Sequence, residues 1–394
     1  MTGESLRIAL LAPPWFPVPP KGYGGIESVV ALLADGLVDA GHEVTLFASG
    51  DSRTKAKLCA AYKAAPSEWI GNSYHELRHT LHCISRAADF DIIHDHTGLL
   101  GLTLGGLFST PLLHTVHGPV DGEPGELYEQ LCRTLPAPRL ISISLNQQRQ
   151  RPALPWIANC PNAIDFAGYP FAPLRGEYLL FLGRMSPDKG AHRAIEVALE
   201  TGLPLKIAGK KREPLEQDYY DTFVSPYLSD QIEFVGEVGQ QEKVELLRGA
   251  RATLFPISWE EPFGLVMIES MACGTPVIAT RRGAVPEVIE HGVTGLIVDN
   301  HHQMAAALEA ADRLDPREIR RRAELRFSPA QMVADYVSAY ASTLAEADAA
   351  RAAPLARELS PHRRPRAHRP SRDGLPAAST GASSHCTARR VERS

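Results

Sequence analysis

The stretch "EEPFGLVMIESMACGTPVIAT", residues 260–280, sets Glu261 and Glu269 eight positions apart, on either side of Phe-Gly-Leu-Val-Met-Ile. An apolar run of this kind suits a buried helix. Buried helices do not carry a carboxylate at each end of the run unless something meets its charge. Pro262 fits a first helical turn, and Gly274 followed by Pro276 ends a helix. The spacing predicts a helix from about Phe263, with the free N–H groups of Gly264, Leu265 and their neighbours at its start. Such an end favours an anion. Taken singly, Glu261 reads as a loop acid and Glu269 as a surface helix acid; the surroundings decide between the readings.

Those surroundings alternate strand and helix. "LRIALLA", "HEVTLFAS", "FDIIHDH", "PLLHTVHG" and "RLISIS" read as short strands apolar on both faces, with helical segments such as "GGIESVVALLADGLVDAG" between them. The pattern restarts after the Pro/Gly-rich "GYPFAPLRGE" (168–177). There "YLLFLGR", "PLKIAG", "QIEFVGEV", "ATLFPIS", "TPVIAT" and "TGLIVD" give six more. Strands alternating with helices imply a parallel sheet, here twice. The expected class is α/β, with two Rossmann-like parallel-sheet domains facing across a cleft. We divide the chain into residues 1–167, 168–330, a last helix over 331–350 crossing back to the first domain, and a tail, 351–394. Ser328 and Pro329 start that helix as N-cap and N1.

A chain of 394 residues with 44% hydrophobic residues can build two cores. The net charge of −5 argues against nucleic acid as the main partner. The charge is uneven: residues 351–394 carry ten arginines against three acidic residues, a formal +7. This Pro-, Arg- and Ser-rich tail cannot bury enough surface to offset chain entropy, so it reads as disordered. Its charge leaves peripheral contact with an anionic membrane open. The six cysteines form no C-x-x-C pair, which points to a reduced, cytoplasmic chain. The apolar run near the start is broken by Pro13 and Pro14 and reads as a strand, not a signal peptide. No stretch approaches about 18 apolar residues, so no spanning helix is expected.

Ligands of open α/β sheets bind at the carboxyl ends of the strands. After the first strand comes "PPKGYGGIE", where Gly24 and Gly25 let backbone approach a ligand closely. It is neither G-x-G-x-x-G nor a Walker P-loop. "YLLFLGRMSPDKG" puts Gly183, Arg184 and Lys189 after the first strand of the second half, where two cations would neutralise a leaving diphosphate. His96 and His117 end two strands of the first half, and Asn162 lies at the entry to the hinge. Glu261 and Glu269 are separated by roughly 12 Å of helix at 1.5 Å per residue. That is about the reach from a sugar ring, past a diphosphate, to a ribose, so the pair suits hydroxyls at both ends with phosphates between.

With these segments in hand, the chain resembles the family-4 glycosyltransferases of the GT-B fold, the retaining, nucleotide-sugar-dependent kind. Glu261 to Glu269 is similar to that family's E-x7-E signature. "GRMSPDKG" resembles its G-R-x-x-x-x-K-G element, and "KGYGGIE", "HTVHG" and "PNAID" fall in family order over about residues 6–345. The resemblance implies transfer of a hexosyl group from a nucleoside diphosphate sugar to an acceptor hydroxyl, with retention. It implies that Gly24 and Gly25 approach the donor phosphate and that His117 contacts the donor sugar. Arg184 and Lys189, beside Gly183, would bind the diphosphate. Glu261 and the N–H groups of Phe263, Gly264 and Leu265 would hold sugar and phosphate, with Glu269 on the ribose diol. The base would sit near "FVGEV" (234–238), and the first half, including His96 and Asn162, would shape a site for a carbohydrate, lipid-linked or small-molecule acceptor. No cofactor or metal is expected. The alternatives are a sugar-nucleotide epimerase of the same fold, or a non-catalytic nucleotide-sugar-binding protein.

Two rival motifs remain. "HELRH" (75–79) matches H-E-x-x-H, which on a helix would put His75 and His79 one turn apart for zinc. Its polar surroundings read as a surface helix. "DFD" (89–91) mimics a metal-binding D-x-D but precedes a strand. If the tail is dispensable, a chain ending at Arg351 keeps both its melting temperature and its turnover with a soluble acceptor. Thermal unfolding and initial rates check this.

Overall fold

The computed structural model describes residues 5–22, 24–174 and 176–359, with side chains described to residue 349. Among the described residues, thirteen strands form two sheets. The first holds β1 (Arg7–Leu11), β2 (Glu43–Phe47), β3 (Lys57–Cys59), β4 (Ile92–Asp95), β5 (Leu112–Val116), β6 (Leu140–Ser142) and β7 (Trp156–Asn159). The second holds β8 (Tyr178–Leu182), β9 (Leu205–Ala208), β10 (Ile232–Gly236), β11 (Ala250–Phe255), β12 (Val277–Thr280) and β13 (Gly295–Val298). Their orders are β3-β2-β1-β4-β5-β6-β7 and β10-β9-β8-β11-β12-β13, with every pairing parallel. The α/β, two-sheet expectation therefore holds. The two strands the sequence reading missed, β3 and β7, are short edge strands.

In both sheets the order reverses beside the first strand, between β1 and β4 and between β8 and β11. That reversal opens a crevice at the carboxyl ends of those four strands. The segments that follow them carry Gly24 and Gly25, His96, Gly183, Arg184 and Lys189, and Glu261 and Glu269; His117 follows β5, the neighbour of β4.

The long last helix, Pro329–Leu359, begins with Ser328 accepting from the Gln331 N–H at 3.4 Å. Its Met332, Val333, Tyr336, Ala339 and Tyr340 pack into the core of the first sheet. A Cβ on Gly36 would come 2.6 Å from Val333, so the helix Gly25–Asp39 accepts its neighbour only by lacking a side chain there. The helix continues to Leu359, beyond the Arg351 at which disorder was expected; the rest of the tail lies outside the described residues. Alanine-rich sequence explains the continuation, since alanine is the strongest helix former. No helix among the described residues is long and apolar enough to cross a membrane.

Arg320, on the helix Pro316–Phe327, ties the crossover between the sheets to the second domain. Its guanidinium donates to the carbonyls of Phe166 at 3.0 Å, Tyr169 at 2.5 Å and Ala272 at 2.6 Å. Arg320→Ala leaves these carbonyls without that donor. It is expected to lower unfolding free energy by about 1.5–3 kcal/mol, read by denaturant titration.

Candidate active site

The helix after β11 runs Leu265–Ala272, starting two residues later than the sequence suggested, with Gly264 as its N-cap. Gly264 is left-handed, at φ 85°, and a Cβ there would lie 2.6 Å from Met267 and 3.2 Å from Phe255. A side chain is thus excluded both by conformation and by space. Phe263 turns into the core, edge-on to Phe327 at 5.8 Å. Only its backbone is left to serve a ligand. Leu265 packs against the cores of both sheets, and a Cβ on Gly25 would come 3.2 Å from its Cδ1. The glycine loop after β1 therefore meets the helix after β11.

Both glutamates are buried, and each is met by a lysine. Lys189 Nζ pairs with Glu261 Oε2 and lies 4.5 Å from the centroid of the Trp259 ring. Lys243 Nζ donates to Glu269 Oε1 at 2.5 Å, and Tyr169 Oη donates to the same oxygen at 2.8 Å. Sequence reasoning missed Lys243, Tyr169 and Trp259. Lys243 sits in an ordinary amphipathic helix and Tyr169 in a hinge, and nothing local marks either.

The loop bearing Gly183, Arg184 and Lys189 is held against the end of β11. Ser258 N–H donates to the Asp188 carbonyl at 2.9 Å, and a Cβ on the left-handed Gly190 would strike the Pro256 carbonyl at 2.5 Å. Gly183 N–H donates to Ala208 at 3.1 Å. Arg184 is more than a third exposed and lies 4.0 Å from Asp188. Glu261 is fixed by its own backbone as well. Its carbonyl accepts from Ala284 at 2.9 Å, and a Cβ on Gly283 would come 2.3 Å from its backbone nitrogen.

On the first sheet, Gly24 caps the helix Gly25–Asp39, and a Cβ there would come 2.7 Å from Pro20. Glu27, in the first turn of that helix, was not singled out from sequence. It is buried, and burial raises its carboxyl to about 7. His117 is half-buried, its Nε2 2.9 Å from His96 Nδ1. His96 is fully buried behind it, both nitrogens turned to other imidazoles, so it reaches a ligand only through His117. Asn162 is buried with Oδ1 lacking a partner, as are Ser144 Oγ, Ser186 Oγ and Trp259 Nε1. These orphans lie on segments that border the crevice. A bound polar molecule would satisfy them.

The rival motifs are occupied elsewhere. His79 is buried, with Nε2 3.0 Å from the Ala12 carbonyl, and burial lowers its pKa to about 4. His75 stacks on Trp69 at 5.4 Å. Asp91 pairs with Arg7 at 2.6 Å, at the amino ends of the strands and away from the crevice. Among the described residues, Glu196, His301 and His302 are close enough together to chelate, outside the segments that border the crevice.

Burial keeps His79, His94, His96 and His117 neutral, His117 down to about 3. Unfolded, they titrate near 6.5. Below that pH the unfolded chain binds protons the fold refuses, so stability falls as pH drops. Glu27 acts oppositely: its raised pKa adds stability below about 7 that is lost as pH rises through that value. Four histidines outweigh one carboxyl, at about 1.4 kcal/mol per pH unit for each net proton. The melting temperature is expected to fall from pH 6.5 downward, above the carboxylate range. A flat profile from pH 7.5 to 5 would contradict it.

Residues 23–162 match the family described as Glycosyltransferase Family 4, and residues 170–325 that described as Glycosyl transferases group 1. The chain is 28% identical over 363 residues to the D-inositol 3-phosphate glycosyltransferase of Pseudarthrobacter chlorophenolicus, across 77% of this chain and 86% of that protein. It is similar to AviGT4, a glycosyltransferase involved in avilamycin A biosynthesis. There the identity is 30% and the TM-score 0.62, over 86% of this chain and 98% of the other. Anabaena Alr3699/HepE, solved in complex with UDP and glucose, shares the fold at 18% identity. Its TM-score is 0.66, over 86% of this chain and 100% of that one.

Proposed function

Since the chain belongs to the family-4 glycosyltransferases of the GT-B fold, we propose that it moves a hexosyl group from a nucleoside diphosphate sugar to an acceptor hydroxyl, with retention at the anomeric carbon and without a divalent metal. The observation that carries this is the Lys189–Glu261 pair, set beside the N-terminus of the helix Leu265–Ala272. A departing diphosphate gains negative charge in the transition state, and what stabilises it must be in place beforehand. The N–H groups at Gly264 and Leu265 are fixed positive groups of that kind, and Lys189 and Arg184 are cations on one loop. When Lys189 turns to the phosphate, Glu261 is released to accept from sugar hydroxyls. Glu269 takes the ribose diol, and His117 meets the donor sugar. The relative's D-inositol 3-phosphate makes a phosphorylated polyol the first acceptor to assay.

The test is transfer from UDP-, GDP- and ADP-hexoses in excess EDTA, with the product's anomeric coupling read by NMR. Retained configuration and EDTA-resistant turnover are expected. Lys189→Ala should lower kcat by about a hundredfold and raise the donor KM far less. Turnover abolished by EDTA and restored by Mn²⁺ would overturn metal independence. A changed sugar nucleotide formed without acceptor would favour an epimerase.

A further inference from the structure

Strands send alternate residues to opposite faces. His94 and His96, from β4 and its end, therefore share a face with Thr115 and His117, from β5 and its end. Asp95 and His114 take the other face and pair at 2.7 Å. The first face is covered by the last helix, which brings in Tyr336 and Tyr340. The result is a buried row. His117 Nε2 lies 2.9 Å from His96 Nδ1, and His96 Nε2 lies 3.3 Å from His94 Nδ1. His94 Nδ1 lies 2.7 Å from Tyr340 Oη, and His94 Nε2 lies 2.7 Å from Thr115 Oγ1.

A neutral imidazole has one N–H and one in-plane lone pair, so each ring can donate from one nitrogen only. We propose that His96 holds His117 in its Nδ1–H form, so that His117 meets the substrate as a hydrogen-bond donor and not as a base.

The argument starts at the far end. Tyr340 is buried and its hydroxyl has one partner among the described residues, His94 Nδ1. Were His94 to donate there, the tyrosine O–H would be left buried without an acceptor, at a cost in stability. Tyr340 therefore donates, His94 Nδ1 is the bare nitrogen, and His94 Nε2–H donates to Thr115. Next comes His96. Its ring centroid lies 5.2 Å from that of His117, as two rings joined end-on through a 2.9 Å N···N contact require. Its centroid lies only 3.9 Å from that of His94, tilted by 45°, so those rings overlap rather than meet end-on. A proton on His96 Nε2 would face a lone pair already taken by Tyr340, and out of line. The proton sits on Nδ1, aimed at His117 Nε2. The proton of His117 is then on Nδ1, the nitrogen for which no partner is found among the described residues. Burial keeps all three rings neutral.

This inference rests on the reading of the crevice as a nucleotide-sugar site, and it deepens it. His117 cannot take the acceptor's proton. As the acceptor oxygen bonds to the anomeric carbon and the bond from that carbon to the phosphate oxygen breaks, the hydroxyl proton passes to the departing phosphate oxygen. His117 N–H donates to an oxygen of the donor throughout. His96 and Tyr340 are positioning residues in this scheme.

The test has two arms. Protein with ¹⁵N-labelled histidine, the His117 signals identified by their loss in His117→Gln, reports the tautomer without any substrate. Nδ1 protonated and Nε2 bare is expected; Nε2 protonated would overturn the proposal whatever the enzyme transfers. In the kinetic arm, His96→Leu should lower kcat about tenfold with little change in donor KM. His96→Asn, whose amide can still donate to His117 Nε2, should recover most of that loss. Tyr340→Phe, which frees the His94 lone pair, should shift the His117 signals toward a mixture of tautomers. An asparagine variant as impaired as the leucine one, or unshifted signals in Tyr340→Phe, would sink the scheme. Absence of transfer from every nucleotide sugar would count against the proposed function and leave the tautomer reading standing on its own spectrum.

Discussion

A carboxylate taken out of water must be met by a cation or by donors. Glu261 and Glu269 are both out of water, and the second domain is arranged to meet them. The two lysines come from elements far apart in sequence: Lys189 from the loop after β8, Lys243 from the helix Gln240–Arg248. The loop after β8 can reach Glu261 because β8 and β11 are neighbours where the strand order reverses. Taking away Lys189 would leave the Glu261 carboxylate without its cation, a loss of about 3–5 kcal/mol, whereas Glu269 without Lys243 would keep the Tyr169 hydroxyl. Glycine supplies the rest of the fit. Gly264 and Gly283 let backbone lie where a side chain would collide, so the N-terminus of the helix Leu265–Ala272 is fixed before any ligand arrives.

The first domain answers a different constraint. Its strand ends carry imidazoles where apolar residues would normally sit. Burial forbids their charge, so their order comes from hydrogen bonds alone, and those bonds need partners from outside the sheet. Tyr340 of the last helix meets His94 directly, and Tyr336 meets Thr115, the other partner of His94. A chain that begins in the first sheet and returns to it thus has a chemical reason for the return as well as an apolar one. The two domains also touch at the rim of the crevice. Leu145 N–H donates to Glu287 at 2.6 Å, and Asn146 Nδ2 donates to Glu260 at 3.2 Å. Glu260 is the chain neighbour of Glu261, so the segment that holds the first carboxylate is also held by the opposite domain.

Eleven of the strands were legible because parallel strands covered on both faces read as continuous apolar runs. β3 and β7 were not: Lys57 leaves β3 only two apolar residues, and β7 is partly exposed throughout and ends in Asn159, so neither forms such a run. The helix Leu265–Ala272 was legible in kind but misplaced at its start. Pro262 fits a first helical turn, yet the left-handed Gly264 delays the helix past it. At the site, residues next to strand ends could be found from order along the chain. Lys243 and Tyr169 could not, because their role comes from tertiary contact with Glu269. Glu27 was hidden for a similar reason: a glutamate in a first helical turn is commonplace, and only burial makes it unusual.

The pairing of Lys189 with Glu261 has a consequence for binding. Two groups that a donor sugar would need, a cation for phosphate and an acceptor for hydroxyls, neutralise each other until it arrives. Neither then has to be stripped of water at the moment of binding, because burial has already done so. Trp259 beneath the lysine adds a face that favours a cation without fixing its direction. A lysine held this way can swing from carboxylate to phosphate while keeping the ring. The exchange replaces one charge-assisted contact by another, and so costs less than recruiting a solvated lysine. The same reasoning separates Arg184, which lies more than a third exposed and loosely paired, from Lys189. Arg184 must give up water to serve a phosphate, whereas Lys189 gives up only Glu261.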